Sequence, residues 1–277
     1  MELISIPDAQ PRDEYYRALE NGDILYFPLT PFELPEDDLA LLRSTSQIRG
    51  SHHKNIAYRP AQDKVANFSD GSSNPEKLRS VMRDYSRRVL AFLRSFLPRY
   101  MESPRIDLAS FRPQEEEGRV LPLKKRNDLL HVDSFPTRPT SGDLILRTFT
   151  NVNSVKSRVW VTSDPFRPLA ERYAMKAGLQ IAANGSLGSR IGSLLREAGL
   201  PLKDRSAYDR FMLGFHDYLK SNEDYQANCP KYRFEFPPRS TWMVFTDVVP
   251  HAVLSGQYAL EQTVIVRKDA ERSEVGS

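Results

Sequence analysis

The chain has 277 residues, 40% of them hydrophobic, with a formal net charge of +3 and a single cysteine, Cys229. That supports one large domain or two small ones, excludes an internal disulfide, and leaves too little positive charge to mark a nucleic-acid binder. No stretch approaches ~18 consecutive apolar residues and Met1–Asp8 has no signal-peptide pattern, so the expectation is a cytoplasmic protein.

Tyr15, Tyr16 and Leu19 recur at helical spacing and predict a short helix over 12–22. Ile24–Phe27 reads as an apolar strand closed by Pro28. Pro35 followed by Glu36, Asp37 and Asp38 opens a second helix, because proline fits the first turn and acids suit its positive end. Residues 46–74 are polar and read as an extended loop, with His52 and His53 solvated. Asn74-Pro75-Glu76 begins the longest helix, in which Leu78, Val81, Met82, Tyr85, Val89, Phe92 and Phe96 form an apolar stripe. Pro98 ends it. Arg105–Pro113 alternates as a half-buried strand does. A charged loop follows, with Glu115, Glu116 and Glu117, then Lys124, Lys125 and Arg126.

Leu130-His131-Val132-Asp133-Ser134-Phe135 comes next. On an extended strand, residues two apart project to one side, so His131 and Asp133 point together. An imidazole and a carboxylate converging on a point are two ligands of a mononuclear metal, and a facial triad needs one more histidine. His251, after the strand Thr241–Phe245, is the candidate. Such a set suits non-haem Fe(II), with zinc the competitor. No H-E-x-x-H motif accompanies it.

Leu144–Asn153 reads as a strand with Ile145, Arg147, Phe149 and Asn151 on one face. Arg147 within such a strand needs an anionic partner, either a ligand or a nearby acid. Val159–Val161 is a short strand. Residues 165–225 are helical, over Phe166–Ala177, Ile191–Ala198 and Ser206–Lys220, and read as an insertion between strands. His216 flanks the last apolar stripe and reads as a surface or interface residue. Tyr232–Phe236 alternates, and Gln257–Lys268 forms a final strand carrying Glu261, Thr263 and Arg267 on one face. The tail from Asp269 is polar.

The order H-x-D, strand, late histidine, basic residue on the next strand resembles the Fe(II)/2-oxoglutarate-dependent oxygenases. More closely, His131-Val132-Asp133-Ser134-Phe135-Pro136-Thr137-Arg138-Pro139, continuing to Arg147-Thr148-Phe149-Thr150-Asn151-Val152-Asn153, resembles the Kdo hydroxylases, which act on 3-deoxy-D-manno-octulosonic acid (Kdo) in the inner core of lipopolysaccharide. The resemblance implies a mainly β fold with packed helices, a double-stranded β-helix or jelly roll. One domain is expected: residues 1–104 as an N-terminal helical layer with one strand, 105–268 as the jelly-roll core with the insertion 165–225, and 269–277 as a flexible tail. It implies His131, Asp133 and His251 as iron ligands, with 2-oxoglutarate and O2 as co-substrates. Arg267 or Arg147 holds 2-oxoglutarate, and the two remain alternatives because Glu261 and Thr263 occupy the early positions of the last strand, where much of the superfamily has its arginine. Asn151 and Thr263 complete the expected co-substrate set. Arg138, Lys124, Lys125 and Arg126 are expected to meet a Kdo-containing lipid A precursor, which implies peripheral contact with the cytoplasmic membrane face. The rivals are a 2-oxoglutarate oxygenase acting on another substrate and a non-catalytic, metal-stabilised jelly roll that binds sugar or lipid.

Overall fold

The computed structural model describes residues 1–45, 55–68, 74–173 and 205–267. The large sheet is built from β1 (Leu3–Ser5), β2 (Ile24–Phe27), β3 (Ile56–Arg59), β4 (Lys64–Ala66), β5 (Arg105–Arg112), β6 (Leu144–Asn151), β9 (Thr241–Phe245) and β11 (Ala259–Val266). Its spatial order is β1-β2-β9-β6-β11-β5-β3-β4. A small sheet holds β10 (His251–Ser255), β7 (Arg158–Thr162) and β8 (Tyr232–Phe236), in that order.

Alternation along the central strands sorts residues between two environments. Leu144 and Leu146 of β6, Met243 and Phe245 of β9, and Leu260, Val264 and Val266 of β11 pack in one cluster with the helices α1 (Asp13–Glu20), α2 (Glu36–Ser44) and α3 (Pro75–Phe96). Phe149, Trp242 and Val244 turn the other way and pack against Trp160, Phe236 and Val253 of the small sheet. Every residue of β6 and of β11 is therefore buried. Asn74 starts α3 by accepting from the Glu76 and Lys77 amides, with Pro75 in the first turn.

The expected jelly roll with helices outside is the observed fold. Residues before Arg105 contribute four of its strands (β1 to β4) rather than one. β3 and β4 lie where an extended loop was expected, because strands of three and four residues are too short to show a period. After β7 come α4 (Phe166–Tyr173), α5 (Ala207–Ser221) and α6 (Glu223–Asn228). The helix expected at Ile191–Ala198, the end of that expected to Ala177, the residues His52 and His53, and the tail from Asp269 lie outside the described residues. Leu130, Val132 and Ala252 pack with Leu169 and with Met212, Phe215 and Leu219 of α5. Among the described residues no helix is long and apolar enough to cross a membrane.

Candidate metal centre

His131 and His251 meet through their backbones before their side chains. The His131 amide donates to the His251 carbonyl at 3.2 Å, and the His251 amide donates to the His131 carbonyl at 2.9 Å. The Asp133 amide donates to the Thr246 carbonyl at 2.8 Å. These bonds hold the H-x-D segment extended, but it forms one isolated bridge rather than the strand expected. Side chains satisfy its other edge. Gln226 accepts from the Leu130 amide at 3.0 Å and donates to the Leu130 carbonyl at 2.9 Å. His216 Nδ1 donates to the Val132 carbonyl at 2.7 Å.

One ligand-capable atom from each of His131, Asp133 and His251 lies within 4.8 Å of the others; the two histidines are buried and the Asp133 side chain is nearly so. His131 Nδ1 donates to the Leu129 carbonyl at 2.7 Å and His251 Nδ1 to the Val249 carbonyl at 2.9 Å. That fixes each Nε2 as the unprotonated nitrogen. Burial lowers the pKa of both imidazoles, so both stay neutral. Burial works against ionisation of Asp133, yet the Arg147 guanidinium beside it outweighs that and holds the carboxyl below its ordinary range. Asp133 Oδ2 is buried and accepts no hydrogen bond, although Arg147 Nη1 stands 3.1 Å away as an ion pair. Two neutral imidazoles and an ionised carboxylate with an unsatisfied oxygen are a donor set that fits a divalent first-row metal.

The three residues line a cavity of about 540 Å³ together with Arg112, Arg147, Arg158, Trp160, His216 and Lys220. Trp160 stacks on the His251 ring, with centroids 5.0 Å apart. Arg147 also reaches Glu261 at 3.3 Å, and Arg112 pairs with Glu261 at 2.5 Å. Arg158 is held by the Gly256 carbonyl at 2.8 Å and stands 3.6 Å from Glu116. Burial lowers the Arg158 pKa to about 10. Gly256 has φ +124°, and a Cβ there would stand 2.9 Å from the Arg158 Cα, so only glycine lets the two backbones approach. Three guanidinium groups thus face two buried carboxylates, Glu116 and Glu261, with Asp133 a third acid beside Arg147.

The other expected site residues divide. Thr263 donates to Glu261 at 3.2 Å and lines an adjoining cavity with Arg138 and Lys125. Arg138 pairs with Asp107 and covers the Phe135 ring at 4.2 Å. Lys124 lines the main cavity, paired with Asp217 at 2.7 Å. Arg126 pairs with Asp128 at 2.5 Å and lines neither cavity. Asn151 is a correction. Its side-chain amide donates to the Lys156 and Phe236 carbonyls and its oxygen accepts from the Asn153 amide, so it braces the β6–β7 connection. Arg267 is another. It is exposed, one residue beyond β11, and lines neither cavity. His216, expected at a surface, lies with its ring centroid 5.0 Å from that of His131.

The chain matches the model of the 3-deoxy-D-manno-oct-2-ulosonic acid (Kdo) hydroxylase family over residues 4–277. It belongs to the Kdo hydroxylase family. A search of curated proteins finds no match. Among solved structures, the apo form of the Kdo hydroxylase KdoO, a non-haem Fe(II) alpha-ketoglutarate-dependent dioxygenase, is 34% identical with a TM-score of 0.84, covering 98% of this chain and 91% of that one. KdoO in complex with alpha-ketoglutarate and Fe(III) is 33% identical with a TM-score of 0.83, over the same shares. KdoO with cobalt(II) is 34% identical, also at 0.83 over those shares.

A second carboxyl near the centre has a different role in this family member. Asp247 is buried, and its Oδ1 accepts from the Ile145 amide at 2.9 Å. Burial pushes its pKa up to about 7. A raised carboxyl pKa favours the folded state below the ordinary value of 3.8, and that stabilisation is lost as pH climbs through about 7. Asp247→Asn keeps the acceptor and removes the titration. Urea melts across pH 4 to 8 are expected to show the variant gaining on the wild type by up to about 4 kcal/mol as pH rises. A difference that stays flat with pH would rule this out.

Proposed function

We propose that the protein hydroxylates C3 of Kdo in a lipid A precursor, converting 2-oxoglutarate and O2 to succinate and CO2 as the C–H bond becomes C–OH. It is an Fe(II)/2-oxoglutarate-dependent dioxygenase. The observation that carries this reading is the convergence of His131, Asp133 and His251 on a cavity whose adjoining wall is a cluster of buried arginines.

Iron would be held by Nε2 of each histidine and a carboxylate oxygen of Asp133. When bound, it supplies the activation of O2 that lets 2-oxoglutarate drive hydroxylation of an unactivated carbon. Arg147 keeps Asp133 ionised and so keeps it a ligand. The distal carboxylate of 2-oxoglutarate fits the wall formed by Arg147, Arg112 and Arg158, where a planar fork can hold it in two hydrogen bonds. Trp160 stacks on one face of the His251 ring and holds its orientation beside the cavity. KdoO has been captured with alpha-ketoglutarate and with succinate, each beside Fe(III), which supports the same co-substrate and co-product here.

A lipid-borne substrate also accounts for the exposed loop beside the cavity. Val120 is 99% exposed and Leu123 46%, next to Lys124 and Lys125. Apolar and cationic side chains together suit an anionic lipid surface, in keeping with peripheral contact at the cytoplasmic face.

The test is anaerobic addition of Fe(II) and 2-oxoglutarate to the pure protein, followed by a Kdo-bearing lipid A precursor and air. The expected result is a weak visible charge-transfer band, then succinate and a Kdo residue heavier by one oxygen. The band without sugar oxidation would leave a dioxygenase of another substrate. Iron bound with no band would point to the non-catalytic jelly roll.

A further inference from the structure

Lys220 is 4% exposed and lines the metal cavity, yet it takes no part in the arginine wall. Its ammonium donates to the Lys124 carbonyl at 3.1 Å, and among the described residues it forms no ion pair. An ammonium has three donors, and a buried cation without a counter-charge is costly. Burial accordingly lowers its pKa to about 8.

Lys220 stands one helical turn after His216 on α5, so both side chains project from one face of that helix. His216 Nδ1 donates to the Val132 carbonyl, which leaves its Nε2 as an acceptor. The two walls of cations flank different ligands. Lys220 is among the charges acting on His131, whereas Arg147 and Arg112 act on His251. The arginines are already paired with Glu116 and Glu261, whereas Lys220 feels Asp133, Asp217 and Asp128 only from beyond ion-pair distance.

We propose that Lys220 receives the carboxylate of the sugar substrate, with His216 accepting a hydrogen bond from a neighbouring hydroxyl. This rests on the Kdo hydroxylase reading above and deepens it. In Kdo the carboxylate carbon is C1 and the reacting carbon is C3. Only C2 lies between them, so an ion pair at C1 fixes where C3 sits. Two anionic co-reactants then dock on separate walls, the oxoacid on the sheets and the sugar acid on α5, without competing for one set of cations.

The experiment compares a Kdo-bearing lipid A precursor with the same molecule methyl-esterified at its Kdo carboxylates, using the wild type, Lys220→Met and Lys220→Arg. The wild type is expected to prefer the acid by about 10- to 100-fold in kcat/KM, the worth of one charge-assisted hydrogen bond. Lys220→Met is expected to lose that preference, and Lys220→Arg to keep most of it, while the KM for 2-oxoglutarate and the affinity for Co(II) stay as in the wild type. Equal use of acid and ester by the wild type overturns the proposal whatever the variants do. So does a Lys220→Met enzyme that still prefers the acid, or one whose KM for 2-oxoglutarate rises while the preference survives. If the wild type oxidises neither molecule but does turn over 2-oxoglutarate, the Kdo reading itself fails.

Discussion

Replacing His251 with alanine is expected to reduce Co(II) affinity by at least about 100-fold, since disturbing only the outer partner of a ligand costs 10- to 100-fold, and to bring succinate release to background. The fold should survive, because the bridge to His131 uses the backbone of residue 251 and not its imidazole. The cost is limited to the Trp160 face that the ring covers and the Val249 carbonyl that its Nδ1 bonds. A titration followed by Co(II) absorption, with a thermal melt of the same sample, separates the two effects. Near wild-type affinity in a folded variant would remove His251 from the ligand set.

The second large effect is expected at Glu261, through stability. Glu261 is 2% exposed and carries ion pairs to Arg112 at 2.5 Å and Arg147 at 3.3 Å. Its own pKa is lowered, since the two arginines outweigh the burial that would raise it. Glu261→Leu has a similar reach but no charge, and it strips Arg112 of its closest partner, leaving Glu116 at 3.9 Å, and leaves Arg147 with Asp133 alone among the described residues. Breaking a buried pair from one side costs about 3–5 kcal/mol, which in a domain of this size lowers Tm by roughly 10 °C. Differential scanning calorimetry checks it. A fall of less than about 2 °C would mean that the arginines do not depend on Glu261.

How far the site could be read from the chain follows from the kind of contact involved. His131 and Asp133 were legible because two residues two apart on an extended segment must share a side, whatever surrounds them. His251 was legible because few histidines compete for the role. Arg147 drew notice as a charge inside an apolar strand. Arg112, Arg158, Glu116 and Glu261 did not, because each sits in a pattern that solvated charges also make. The pairing of Arg112 with Glu261 spans 149 residues of sequence and is set by β5 lying beside β11. His216 and Lys220 were hidden for a related reason. They border the apolar stripe of α5, and helical periodicity does not say whether a border residue meets water or a cavity. Arg267 was misread because alternation along β11 continues to residue 267 on paper, while the strand ends at Val266. Asn151 was on the correct face of β6, but at its last residue, where turn backbone claims the side chain.

The order of the large sheet bears on how the protein is made. β11 comes last among the described strands in sequence, yet it lies between β6 and β5 in the middle of the sheet. A nascent chain that has emerged as far as β10 has both histidines and Asp133 in place along its length, but it presents two unpaired strand edges with an empty slot between them. Such edges are templates for pairing with another chain. Closing the slot needs contacts between segments far apart in sequence, which form slowly. The sheet is thus completed by β11, the last described strand, and the same insertion that joins the two edges brings Glu261 to the arginines. Shielding of the nascent chain by a holdase should matter most in that interval, before residues 259–266 are free to enter.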